Sequence, residues 1–160
     1  MDIDASTFRQ VMRRFPTGVM VLTVPDGDGM HAVTVNAVTS VSLDPPLMLV
    51  CIEKNARSHE LIHSARRFAL NILAEKQQML GERFAFDREA RGHPADYGEG
   101  TVGAVGALLF KDSPGFLECR VEAEYPGGDH TIFLARVVSL GLNEEAPPLL
   151  YFESRFERLA

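Results

Sequence analysis

VTVNAVTSVSLDPPLMLVCI, residues Val33 to Ile52, is the stretch on which the reading of this chain turns. Its odd positions Val33, Val35, Ala37, Thr39, Val41 and Leu43 are mostly apolar and β-branched. Its even positions Thr34, Asn36, Val38, Ser40, Ser42 and Asp44 are small and mostly polar. A two-residue alternation is the period of a half-buried strand. A strand facing bulk water usually carries Lys, Glu or Arg, yet no residue from 34 to 42 is charged. Short hydroxyls and one amide leave room for a flat molecule to lie against the backbone, and they can hydrogen-bond phosphate or carbonyl oxygens. A solvated Ser/Thr-rich face would read the same way. Asp44-Pro45-Pro46 ends the strand, because neither proline can donate to a ladder. Leu47 to Ile52 is then a continuous apolar run, long enough for one buried strand. The unit is the expected ligand wall.

Outward from this unit, short strands dominate. Gly18 to Val24, Phe68 to Leu73, Phe116 to Ala123, Thr131 to Leu140 and Leu149 to Phe152 all read as strands. Tyr125-Pro126-Gly127-Gly128-Asp129-His130 is a hairpin signal, and Pro25-Asp26-Gly27-Asp28-Gly29 is another turn. Helical periodicity is confined to short segments. Phe8, Val11, Met12 and Phe15 form a stripe behind Ser6 or Thr7 as cap, and Leu61, Ile62 and Ala65 share one face of a helix capped by Ser58. A polar helix runs from about Glu75 to Phe84, and residues 86–103 read as a long surface excursion. Six or seven strands with few helices predict a mainly β fold, an antiparallel barrel or sandwich in one domain over residues 1–160.

The net charge of −6 argues against a nucleic-acid partner or an anionic membrane surface. Cys51 and Cys119 each lie in an apolar run at a spacing that fits no metal or redox motif, so buried free thiols in a reducing compartment are expected. The first residues, MDIDASTFRQ, lack a basic region followed by an apolar run, and no stretch is apolar enough to span a membrane. A cytoplasmic location is the expectation.

His59-Glu60-Leu61-Ile62-His63 matches H-E-x-x-H, the helix pattern that offers two zinc ligands and a general base. The helix is short, however, and no third His follows at the extended spacing, so a zinc hydrolase is disfavoured and no metal site is assigned. Arg57 and Ser58 at the same helix start combine positive charge with unpaired N–H groups, which suits a phosphate, although a simple cap beside a solvated Arg fits equally. No G-x-G-x-x-G follows a strand, so any nucleotide would be held outside the Rossmann scheme. His130, taken alone, is a hairpin histidine.

These segments in this order resemble the flavin reductase family that supplies reduced flavin to two-component monooxygenases. The resemblance is carried by FRQVMRRFPTGVMVLT, TVNAVTSVSLDPPLMLVCI, ARSHELI, FALNIL, FLECRVEAEY, GDHTIFLARV and PLLYF, which together cover most of the chain. It implies an antiparallel split β-barrel of the Greek-key, FMN-binding type, a homodimer with its site near the subunit interface, and a partner monooxygenase. It implies FMN or FAD as the flavin and NADH or NADPH as electron donor. Thr34, Asn36, Ala37, Ser40, Val41 and Ser42 match the strand and turn that hold the isoalloxazine and the flavin's phosphate side. Cys51, Arg57 and Ser58 match the next strand and helix start, Phe84 the helix closing over the flavin, and His130 the residue near the nicotinamide. Val35, Val38 and Glu153-Ser154 depart from the family pattern. The implied activity is hydride transfer between nicotinamide and flavin, with a non-catalytic flavin-binding protein as the alternative.

Overall fold

The computed structural model describes residues 3–86, 91–92, 96 and 98–159. In chain order the elements are α1 (Ala5–Met12), β1 (Thr17–Gly18), β2 (Met20–Asp26), β3 (Gly29–Val35), β4 (Val38–Leu43), β5 (Pro46–Glu53), α2 (Arg57–Ala65) and β6 (Arg67–Ile72). A 3-10 turn at Glu75–Gln77 leads into α3 (Gln78–Phe86). Then follow β7 (Arg91–Gly92), β8 (Gly100–Val102), β9 (Leu108–Phe110), β10 (Gly115–Gly127), β11 (His130–Leu142), β12 (Leu150–Phe152) and β13 (Arg155–Glu157). The fold is mainly β with short helices, as the periodicity predicts. Much of the 86–103 excursion lies outside the described residues; β8, within it, folds back onto β9.

Eight strands form one antiparallel sheet in the order β4-β5-β11-β10-β6-β2-β3-β7. β3 and β4 lie near opposite ends of that order, yet only Asn36 and Ala37 join them. Two residues reach about 10 Å at most, so the sheet has to curl until those strands come together. The apolar residues inside the curl form the main core, with Leu22, Val24, Val50, Phe68, Leu70 and Phe133 all buried and Ile62 of α2 plugging one side. A second core lies outside β2 and β3, where Val19, Val21, Met30, Leu73, Phe84 and Leu149 pack under α3.

Buried polar groups tie the layers together. Asn71 of β6 is fully buried; its amide donates to the carbonyls of Val21 and Leu108 and its oxygen accepts from Phe110 N–H. Thr23 adds a 2.7 Å bond to the Leu108 carbonyl. Together they hang β9 on the outer face of β2 and β6. The buried Glu118 carboxylate accepts from Val105 N–H, and a Cβ at Gly103 would collide with it, so glycine there lets the chain pass over that carboxylate.

The structure corrects several local expectations. Val33 to Leu43 is not one strand, because it breaks at Asn36–Ala37, and a bulge between Ser40 and Ser42 interrupts the alternation again. Val35 is buried, whereas Val41 and Leu43 are exposed. Asp4, not Ser6 or Thr7, caps α1 by accepting from both of their N–H groups. Ala56 occupies the cap position of α2, so Ser58 lies inside the first turn and is buried. The apolar stripe of the α1 segment is left largely uncovered among the described residues: Phe8, Val11, Met12 and Phe15 are all exposed.

Candidate functional site

The break at Asn36–Ala37 is where the site forms. Asn36 and Ala37 are exposed, and the Ala37 carbonyl accepts from Cys51 N–H at 3.0 Å, which holds the break against β5. The Asn36 amide donates to the Thr17 hydroxyl at 3.3 Å, anchoring it to β1. Between β3, β5, α2 and α3 this leaves a cleft of about 240 Å³.

The cleft brings together most residues that the resemblance singles out. Thr34, Asn36, Ala37, Cys51, Ser58, Phe84 and His130 all line it. Its walls are apolar at Val33, Val35, Ile52 and Phe84, while Ser58 and His130 supply polar groups beyond Glu53. Two of the seven have structural duties as well. The Thr34 hydroxyl donates to the Gly81 carbonyl at 2.7 Å, fixing α3 against β3. Phe84 is almost fully buried, stacked 6.2 Å from Phe110, so it is a core residue with one edge on the cleft.

Arg57, Ser40, Val41 and Ser42 stand apart from these seven. Arg57 bonds through Nε and Nη2 to Asp26 Oδ2, at 3.2 and 2.5 Å, so its charge at the helix start is already paired. Asp26 itself is nearly buried. Ser40, Val41 and Ser42 follow on β4, beyond the part that borders the cleft; the first two are exposed and Ser42 half-buried. The bulge is the physical reason that reading a strict alternation through them overreached.

His130 opens β11, with its register partner Glu53 closing β5. Its Nδ1–H donates to Asp129 Oδ1 at 2.7 Å, and that bond, with the charge of His130, holds the Asp129 carboxyl below the usual carboxylate range. Lys54 steadies the same turn, since its N–H reaches the Asp129 carbonyl at 3.0 Å and its Nζ the Gly128 carbonyl at 2.6 Å. Gly128 has φ of +73°, a left-handed turn conformation that favours glycine.

The two histidines of the HELIH stretch have separate partners. His59 Nε2 lies 2.8 Å from the Thr131 hydroxyl and its ring meets Phe133 edge-on; His63 Nδ1 donates to Glu124 at 2.9 Å. Each is thereby tied to β10 or β11 rather than to a shared ligand.

His31 of β3 also lines the cleft, almost fully buried, and the sequence reading passed over it. Its place on the alternating strand before Val33 was the available signal. Cys119 is buried in the core, and burial pushes its thiol pKa up to about 12. Cys51 is half-buried on the cleft, so only one of the two thiols is sequestered as expected.

Fold and site together define a mainly β domain whose curled sheet opens onto a largely apolar, ring-sized cleft with Glu53 as its one carboxylate. A family model described as the flavin reductase like domain matches residues 12–160. The chain is 43% identical over 154 residues to the NADH-dependent FMN reductase AsuE2 of Streptomyces nodosus subsp. asukaensis, covering 95% of this chain and 83% of that protein. Among solved structures, the NADH:FAD oxidoreductase SgcE6 of Streptomyces globisporus in complex with NAD and FAD fragments is 35% identical. It superimposes with a TM-score of 0.87, covering 98% of this chain and 93% of that one. BorF, the flavin reductase component of a bacterial two-component tryptophan halogenase, is 34% identical with a TM-score of 0.90, over 98% of each chain. The chain belongs to the flavin reductase like family.

Proposed function

We propose that this protein is an NAD(P)H-dependent flavin reductase that passes reduced flavin to a partner monooxygenase. The observation that carries the reading is the cleft between β3 and β5, which gathers seven of the eleven residues singled out by sequence. Its fit to a flavin rests on its donor set. Asn36, Cys51 and Ser58 offer neutral hydrogen-bonding groups along a wall otherwise made of Val33, Val35, Ile52 and Phe84, which suits a flat heteroaromatic ring.

Bound flavin and nicotinamide supply the chemistry, a hydride passing from nicotinamide C4 to flavin N5. The residues of this chain orient the reactants and exclude water. Val35 and Phe84 form a dry floor, Cys51 and Ala37 bring backbone to one side, and the first turn of α2 with Ser58 presents N–H groups toward an anionic tail. Arg57, paired with Asp26, fixes the start of α2 beside that tail. His130, with its Nδ1 proton engaged by Asp129, presents a defined tautomer to the nicotinamide carboxamide. No acid–base pair is needed, because the hydride moves between the two rings.

The fold reads as a split β-barrel of the Greek-key, FMN-binding type, supported by the two-residue link between the far strands of the sheet. A homodimer is supported by two exposed apolar surfaces, the stripe of α1 and the outer residues Val138, Leu140 and Leu142 of β11. Ser40, Val41 and Ser42, exposed or half-buried beyond the cleft, are assigned to the flavin's phosphate side, and Ser40→Ala with Ser42→Ala is expected to weaken flavin binding in a fluorescence titration. No helix among the described residues is long and apolar enough to cross a membrane, and the reading places the protein in the cytoplasm, where NADH is available.

The deciding experiment follows absorbance at 340 nm with NADH or NADPH, with and without added FMN or FAD. Decay that requires flavin and survives a chelator establishes the reductase. Flavin binding without decay would instead make this a flavin-binding protein without turnover.

A further inference from the structure

The HELIH stretch of α2 turns both of its histidines toward one hairpin. His59 and His63 are four residues apart and so share a helix face. His63 meets Glu124 of β10 at 2.9 Å, and His59 Nε2 lies 2.8 Å from the Thr131 hydroxyl of β11. These are the two strands joined by the turn that leads into His130. The two contacts differ in weight. His63 is 64% exposed at its side chain, where solvent screens the pair. His59 is half-buried, Thr131 is buried, and the His59 ring meets the fully buried Phe133 edge-on at 5.3 Å. A hydroxyl both donates and accepts, so Thr131 satisfies either tautomer of His59.

This contact reaches the cleft from behind. Thr131 follows His130 on β11, and successive side chains of a strand point to opposite faces. His130 borders the cleft while Thr131 faces α2. On α2 the division is the same: Ala56 and Ser58 border the cleft, and His59, the next residue, turns to β11. The turn between β10 and β11 is exposed at Gly127, Gly128 and Asp129. Lys54 holds its backbone from β5 through the carbonyls of Gly128 and Asp129, and His59 holds its β11 end. The His130 side chain, bonded only to an exposed Asp129 carboxylate at the tip, owes its aim to the backbone that carries it.

We propose that His59 is a positioning residue of the reductase. Through the Thr131 hydroxyl it sets the direction in which His130 meets the nicotinamide, and it joins the first turn of α2 and the β10–β11 turn into one unit around the cleft. The proposal rests on the flavin reductase reading and on the placing of His130 beside the nicotinamide. It gives the H-E-x-x-H spacing a mechanical use.

The test measures KM and kcat with NADH and flavin in two variants. His59→Phe keeps a ring against Phe133 and loses the hydrogen bond; Thr131→Val loses the hydroxyl. Each is expected to raise KM for NADH about fivefold, the worth of one hydrogen bond, with a smaller change in kcat. His59→Gln, whose amide can reach the same hydroxyl, should return KM to within about twofold of wild type, and His63→Ala should leave it there. In a His130→Ala background His59→Phe should add nothing, because the residue through which it acts is gone. Amide exchange of the flavin-free protein gives a readout without turnover. His59→Phe should lose protection at residues 128–131 and keep it through the rest of β10, β11 and α2. An unchanged KM in both single variants would overturn the proposal. So would an equal KM rise with and without His130, or exchange raised across the whole of α2 and β11, since either marks a general loosening of the fold. Wild-type protein that oxidises neither donor with either flavin would instead remove the reductase reading, and the role of His59 with it.

Discussion

His130 and Asp129 are adjacent in sequence and joined by a hydrogen bond at the tip of one hairpin, 41% and 89% exposed at their side chains. Nothing packs tightly on them, so replacing the imidazole costs the fold little. His130→Ala is expected to raise KM for the nicotinamide donor severalfold while leaving flavin affinity and thermal stability close to wild type, as steady-state kinetics and a melting curve would record. Cys119 is the opposite case. Its folded thiol keeps its proton up to about pH 12, whereas in the unfolded chain it ionises near its ordinary value of 9.0. The unfolded state therefore binds fewer protons in that interval. Its contribution is fully present below about pH 9 and declines at about 1.4 kcal/mol per pH unit as pH rises toward 12. Urea unfolding at stepped pH should show this alkaline decline, reduced in Cys119→Ala. Burial of Cys119 was legible from its apolar surroundings. That of His31 was legible only through alternation, because it shares the face of Val33 and Val35 while its own polarity points the other way.

Among the elements, β9 illustrates how a short strand is held by side chains rather than by length. It has three residues, and Asn71 and Thr23 bind its backbone from two different strands. Asn71→Leu would strand the Phe110 N–H and two carbonyls without these partners in a dry interior. A loss of about 2–4 kcal/mol is expected, measured by urea denaturation, with β8 and β9 losing amide-exchange protection first. The strands themselves were legible because their periods and turn residues are local. Helix starts were less so. Ser58 is a preferred cap residue, yet α2 begins one residue before it, since Asp26 captures Arg57 across the β2–β3 turn. A contact between residues 26 and 57 leaves no trace in a local pattern. The bulge at Val41 is similar, as its cause lies in the pairing with β5.

At the scale of the molecule, apolar surface is distributed unevenly. Phe8, Val11, Met12 and Phe15 form a helical stripe by their spacing, but spacing says only that the residues share a face, not what covers it, and all four are exposed. In the homodimer reading a second copy covers that face. Phe8→Asp with Val11→Asp is expected to convert dimer to monomer in sedimentation equilibrium and to lower the temperature of unfolding. A protein already monomeric before substitution would contradict the reading. The ordering of eight strands was beyond sequence pattern, because alternation fixes faces and not neighbours. The resemblance supplied the class, mainly β and antiparallel, and the family match and the superimposed relatives agree with that.

The two-residue link at Asn36 and Ala37 joins strands from opposite ends of the sheet and also forms one border of the cleft. One inserted residue there would rotate the whole of β4 by a face and misalign the binding wall in the same step. Such a junction resists lengthening over evolutionary time. Diversity among descendants of this scaffold is therefore channelled to segments away from this junction, where changes in length leave β4 in register.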